Sequence, residues 1–332
     1  MRRVPALAMN RAQDGAVILS TEAEVRLARM RRVTDDPGTD LPVPDLSDRD
    51  RVVQWRGEQH AAWGEDLLDE EAPHQEIVVG GVRCLWAGPA FDADDPTQTA
   101  VLYLHGGGFC LGSHWTAAPI TARLARPGAD GHTLSIVSVD YRLAPEYPFP
   151  AALDDAEQVA RTLLGGRRLV LAGDSAGASL ALGLWQRLEA AGTTGGAIAA
   201  LIGLSPHLDL RPGGAGGSGS MPAAYLGRAD PQDPLVSPAA MSDELLARLP
   251  PLLLQSTPAD ALHPAVAEFT RRAEASGALV EHQVWEGLWH AWQYHRELPE
   301  AWDAVDRAAE FARSHLRERR SEPRVRVGEG QA

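Results

Sequence analysis

The sequence predicts an α/β fold, a mostly parallel sheet with helices on both faces. Three observations predict it. From about residue 75 to 316, short β-rich runs alternate with helical patterns. An apolar run, Arg168 to Ala172, leads through Gly173-Asp174-Ser175-Ala176-Gly177 into a helical one, Ala178 to Leu184. A second apolar run, Val101 to Leu104, ends in His105-Gly106-Gly107-Gly108-Phe109.

The elements follow in order. The first 75 residues fall outside the rhythm: Thr21 to Arg32 and Asp48 to Leu68 read as helices, too sparse in large apolar residues for a core of their own. Residues 1–75 are therefore expected as a helical cap lying on the main domain. Glu76 to Val79 and Val82 to Trp86 read as a hairpin across Gly80-Gly81. Strands are expected at 100–104, 135–139, 169–172, 199–204, 252–255 and 280–284. Helices are expected at about 117–125, 150–164, 177–191, 264–276 and 299–316. The stretch from Leu210 to Glu244 is irregular and holds a Gly-rich loop at 213–219, so a cap insertion at about 206–246 is expected within a catalytic domain spanning 76–316. The charged tail, 317–332, is expected to be disordered.

Bulk composition narrows the function classes. With 332 residues, 44% hydrophobic and 23% charged, the chain has the make-up of a soluble globular protein. A net charge of −14 disfavours nucleic acid and anionic membrane surfaces as partners. Two cysteines, Cys84 and Cys110, make no disulfide framework, which favours a reducing interior. No signal-peptide core and no long apolar span is visible, so a cytoplasmic location is expected.

The chemistry starts at Ser175. A serine on a sharp strand-to-helix turn projects its Oγ into a cleft, and the helix N-terminus behind it favours developing negative charge. In a chain with 32 glycines one such pentapeptide is weak on its own. The glycines of 106–108 strengthen it, because backbone N–H groups without side chains beside them can approach an oxyanion closely. An acid and a base are expected after the serine in chain order. Asp260 follows the strand at 252–255 and His290 follows the strand at 280–284, both at the edge where Ser175 emerges and where open α/β sheets bind ligands. His263, three residues past Asp260, is the competitor for the base.

His105 to Phe109, then Asp140-Tyr141-Arg142-Leu143-Ala144-Pro145-Glu146-Tyr147-Pro148-Phe149-Pro150-Ala151-Ala152, then Gly173 to Gly177, resemble the hormone-sensitive-lipase-like esterases of the α/β-hydrolase superfamily. Asp233 to Pro238 and the Trp289-His290 context match as well, and the resemblance covers about residues 76–295. It implies an eight-stranded sheet, the catalytic triad Ser175, Asp260 and His290, and an oxyanion hole from Gly107, Gly108 and Ala176. It implies no metal, no cofactor, and a role for Asp140 and Glu146 outside the triad. Ala178 and the Thr257-Pro258-Ala259 run depart from the family by lacking glycines.

The expected activity is that of a serine carboxylic-ester hydrolase acting on short- to medium-chain or acetyl esters of small molecules through an acyl-enzyme. The expected partner is a small-molecule ester, with no nucleic acid and no membrane; a homodimer stays open. Nine tryptophans, among them Trp115, Trp289 and Trp292 near the catalytic loops, suggest a partly aromatic pocket. Lactone hydrolysis, acyl transfer on the same triad, and non-catalytic ligand binding remain alternatives.

Overall fold

The computed structural model describes residues 7–10, 17–34, 43–63, 74–89, 100–165, 167–193, 196–214, 216–217 and 219–317. In chain order the elements are β1 (Leu7–Ala8), α1 (Thr21–Thr34), α2 (Arg49–Trp63), β2 (His74–Val79), β3 (Val82–Ala87), β4 (Ala100–Leu104), α3 (Ala118–Leu124) and β5 (Ser135–Val139). Then come α4 (Ala151–Leu164), β6 (Leu169–Asp174), α5 (Ala176–Ala190), β7 (Ile198–Leu204), α6 (Ser220–Leu226) and α7 (Asp243–Leu246). The series closes with β8 (Leu252–Ser256), α8 (His263–Ala275), β9 (Val280–Val284) and α9 (Pro299–Arg317).

One sheet runs in the order β1-β9-β8-β7-β6-β4-β5-β3-β2. Strands β4 to β9 pair in parallel, and only the β2–β3 hairpin and the β3–β5 pair are antiparallel. Strands β4, β5, β6, β7 and β8 are buried at every residue, and their mostly apolar runs suit a sheet covered on both faces. One covering layer holds α4, α5 and α8, with Leu153, Leu180, Trp185 and Phe269 in its core. The opposite layer holds α3 and α9, with Ile120, Leu124, Val305 and Ala309. Helix α9 buries Ala301, Ala304, Val305, Ala308, Ala312 and Leu316, a stripe at the helical repeat.

The α/β architecture and the expected strands and helices are present, and the eight expected strands carry a ninth. Strand β1 lies parallel to β9, Leu7 opposite Gln283 and Ala8 opposite Val284, and covers an edge that would otherwise expose unpaired backbone. The Met9 N–H extends the pairing to the Val284 carbonyl at 2.9 Å.

The N-terminal helices dock in different places. Helix α1 buries Ala23 in a cluster with Trp285, Leu288, Trp289, Trp292 and Leu298. Ser20 caps it, with Oγ accepting the Ala23 N–H at 3.1 Å and donating to Glu300 Oε2 at 2.7 Å. Helix α2 buries Val52 and Trp55 in the main core. The expected extension of α2 to Leu68, residues 215 and 218 of the Gly-rich loop, and the tail beyond Arg317 lie outside the described residues. Among the described residues no helix is long and apolar enough to cross a membrane.

Candidate active site

Three loops at the C-terminal ends of β6, β8 and β9 converge. Between β6 and α5, Ser175 takes φ +48° and ψ −118°, a conformation that non-glycine residues rarely adopt. The turn closes because its neighbours are glycines. A Cβ on Gly177 would lie 1.9 Å from the Leu104 carbonyl oxygen, so strand β4 leaves no room for a side chain there. The Ser175 N–H donates to the Leu204 carbonyl at 2.9 Å, and its own carbonyl accepts the His207 N–H at 3.0 Å. The nucleophile candidate is thus held from both sides by the end of β7.

His290 Nε2 lies 3.0 Å from Ser175 Oγ, and His290 Nδ1 lies 2.6 Å from Asp260 Oδ2. A carboxylate only accepts, so Nδ1 carries the ring proton and Nε2 is left to accept from the serine hydroxyl. Asp260 also accepts the Leu262 N–H at 2.9 Å through Oδ1. Burial opposes ionisation of Asp260, but the hydrogen bond and charge of His290 outweigh it and hold the carboxyl below its ordinary range. The Asp260 side chain is 6% exposed and that of His290 is 40%, so the acid is sheltered while the imidazole faces the cleft.

His263, the competitor, turns elsewhere. Its Nδ1 lies 2.8 Å from Ser256 Oγ, which also contacts His282 Nε2 at 2.7 Å. Asp140 pairs with Arg83 at 2.5 Å and Glu146 with Arg56 at 2.6 Å, so both carboxylates are engaged away from Ser175.

The glycine loop after β4 adopts φ +112° at Gly107 and +59° at Gly108, values that favour glycine. Cys110 and Leu111 donate their N–H groups to the Gly107 carbonyl at 3.1 and 2.8 Å, folding the loop into a tight turn. Ala176 opens α5, where a backbone N–H has no intrahelical partner. The Met221 side chain, from α6, lies over the loop: a Cβ on Gly108 would sit 3.0 Å from its Sδ.

Several supports were not legible from local sequence. Asp174 accepts the Gly106 N–H at 3.0 Å and the Tyr103 hydroxyl at 2.8 Å, and it is also bonded by Tyr294. Burial pushes its carboxyl up to about 6 against the pull of those donors. Ser205 Oγ accepts the Ala291 N–H at 3.2 Å, directly after His290. A buried amide chain continues from Gln293 to Gln255 at 3.2 Å and from Gln255 to Gln283 at 2.9 Å. Thr257 Oγ1 donates to the Leu288 carbonyl at 3.2 Å, tying the Asp260 loop to the His290 loop. Trp289 and Trp292 pack with Trp285 in the cluster that receives α1, and Trp115 donates to Glu76 at 2.9 Å.

Known proteins resemble the chain in sequence and in fold. A family model described as alpha/beta hydrolase fold matches residues 101–294. The chain is 35% identical over 261 residues to an acetyl-hydrolase of Streptomyces hygroscopicus, covering 73% of this chain and 83% of that one. It is 32% identical over 289 residues to the esterase LipU of Mycobacterium tuberculosis, covering 76% of this chain and 94% of that one. A crystal structure of an esterase from the bacterial hormone-sensitive lipase family superposes with a TM-score of 0.71 at 31% identity, covering 90% of this chain and all of that one. With its glycine loop, its strained Ser175 turn and its ordered acid and histidine loops, the chain belongs to the α/β-hydrolase fold family, among its hormone-sensitive-lipase-like esterases.

Proposed function

We propose that Ser175, His290 and Asp260 act as nucleophile, base and orienting acid, and that Gly107, Gly108 and Ala176 hold the oxyanion, in hydrolysing acetyl and short- to medium-chain esters of small molecules. The protein is a serine ester hydrolase. The observation that carries the residue roles is the unbroken contact from Ser175 Oγ through His290 to Asp260, at 3.0 and 2.6 Å.

Ser175 Oγ attacks the ester carbonyl carbon while His290 Nε2 takes its proton. Asp260 keeps Nδ1 protonated and stabilises the imidazolium. The carbonyl oxygen becomes an oxyanion under the N–H groups of the glycine loop and Ala176, each worth about 3 kcal/mol of barrier. His290 returns the proton to the departing alkoxide, and alcohol leaves. Water, deprotonated by the same nitrogen, then attacks the acyl carbon; the acyl–Oγ bond breaks, His290 returns the proton to Ser175 Oγ, and the carboxylic acid leaves.

The acyl preference rests on α6. An apolar Met221 side chain this close to Gly108 limits the room beside the oxyanion, and Phe109 stacks on Tyr225 at 3.8 Å behind it. In the same reading, α2 and about residues 206–246 belong to the cap, whereas Leu7–Ala8, expected in the cap, extend the sheet of the catalytic domain because the edge of β9 is there to pair with. Cys84 and Cys110 are free and buried, in keeping with a cytoplasmic location.

A panel of p-nitrophenyl esters from acetate to decanoate, with lactones alongside and Ser175→Ala as control, tests this. Highest kcat/KM is expected at acetate to butyrate, with activity lost in the control. A lactone preferred over all esters, or products transferred to added alcohol in preference to water, would replace ester hydrolysis as the function.

A further inference from the structure

We propose that Arg56, on α2, is a positioning residue for the oxyanion loop, so that the N-terminal region acts on the chemical step as well as on the shape of the pocket. The proposal rests on the esterase reading above.

One guanidinium joins three groups on two chain segments. Nε donates to the Cys110 carbonyl at 2.7 Å and Nη2 to the Ala144 carbonyl at 2.7 Å. Nη1 and Nη2 reach the two oxygens of Glu146 at 2.6 and 2.8 Å, a fork that fits a carboxylate. The side chains of Arg56 and Glu146 are only 18% and 17% exposed, so water weakens the pair less than it weakens a surface one. Burial works against ionisation of Glu146, yet the Arg56 hydrogen bond and charge hold its carboxyl below the usual range.

The bonded carbonyls matter more than the ion pair. Cys110 donates its own N–H to the Gly107 carbonyl, so the Cys110 and Gly107 peptides belong to one turn. Ala144 donates its N–H to the Phe109 carbonyl at 3.0 Å, from the other side of the same loop. Arg56 therefore bridges the oxyanion loop and the segment that braces it. A run of three glycines has little stiffness of its own, and catalysis by fixed N–H dipoles needs them held before the charge develops. Docking of α2 does not require this bond, because Val52 and Trp55 are already fully or almost fully buried. Lysine would be a poor substitute, since a single ammonium cannot span the fork and both carbonyls.

The test uses the full chain with Arg56→Ala and Arg56→Lys, assayed with p-nitrophenyl acetate at saturation. Active sites are counted by fluorophosphonate titration, so that misfolded protein drops out. Arg56→Ala is expected to lose about tenfold to a hundredfold in kcat per titrated site with KM changed less than about threefold, the pattern of lost transition-state stabilisation. Added guanidinium ion, below denaturing concentration, should restore part of that loss in Arg56→Ala and nothing in the wild type. Should Arg56→Ala fail to fold, Arg56→Lys carries the same readout, because a single ammonium cannot reach both carbonyls. A kcat per titrated site within about twofold of the wild type in the folded variants would overturn the proposal. A wild-type enzyme that takes no label at Ser175 would instead overturn the esterase reading on which it rests.

Discussion

Asp174 accepts the backbone N–H of Gly106 at 3.0 Å, so the residue beside the nucleophile candidate holds the start of the glycine loop. A Cβ on Gly106 would lie 2.2 Å from Asp174 Oδ2, which makes the bond a consequence of how closely the two loops approach. The strained turn and the glycine loop are therefore tied to each other, the kind of fixed geometry that preorganised electrostatic catalysis requires.

That buried carboxyl predicts a pH dependence. Its native value of about 6 stands above the ordinary 3.8, so the folded state binds the proton more tightly than the unfolded one. Stability from this group is complete below about pH 4 and is lost as pH rises to about 6, a difference of about 3 kcal/mol. Asp174→Asn has no such titration. Urea unfolding of both proteins from pH 4 to 7 should show the wild type losing stability relative to the variant across that window. Parallel curves would mean that the carboxyl ionises freely.

Asp260→Asn should leave the fold intact and lower kcat by about three to four orders of magnitude, because an amide can donate to Nδ1 and stabilise the wrong tautomer. Far-ultraviolet circular dichroism and steady-state kinetics check this. A loss of less than tenfold would remove Asp260 from its role.

Gly108→Ala combines an unfavourable φ with a contact on Met221. Loss of one well-aimed N–H donor predicts a kcat lower by about a hundredfold or more with KM little changed. Stopped-flow acylation rates with p-nitrophenyl acetate give the direct comparison, and a rate near wild type would show that Gly108 is not a donor.

Met221→Ala should open space beside the oxyanion loop. The ratio of kcat/KM for octanoate to that for acetate is expected to rise about tenfold, in line with the worth of one or two methylenes in an apolar pocket. An unchanged ratio would place the acyl group on the other side of the site.

The sequence made the sheet and the site residues legible to different degrees. Strands β4 and β6 declare themselves through apolar runs, because strands covered on both faces are largely apolar. Ser175 and the 106–108 glycines stand out because tight turns and close backbone approach admit few residues. Strand β1 carries no local signal: two residues become a strand only because the edge of β9 is there to pair with. The chain from Ser205 through Gln293 and Gln255 to Gln283 was equally silent, since each amide finds its partner far along the chain. Arg56 reads as an ordinary helix-surface arginine until the fold brings Cys110 and Ala144 beneath it.

The proposed chemistry turns on Ser175 as the nucleophile and His290 as its base. Peptide mass spectrometry after treatment with diethyl p-nitrophenyl phosphate tests it most directly. A single diethylphosphoryl adduct on the peptide containing Ser175, formed in step with loss of esterase activity and at least about a hundredfold more slowly in His290→Ala, is the predicted result. Inactivation with the adduct on another residue, or full activity retained by the labelled protein, would contradict it.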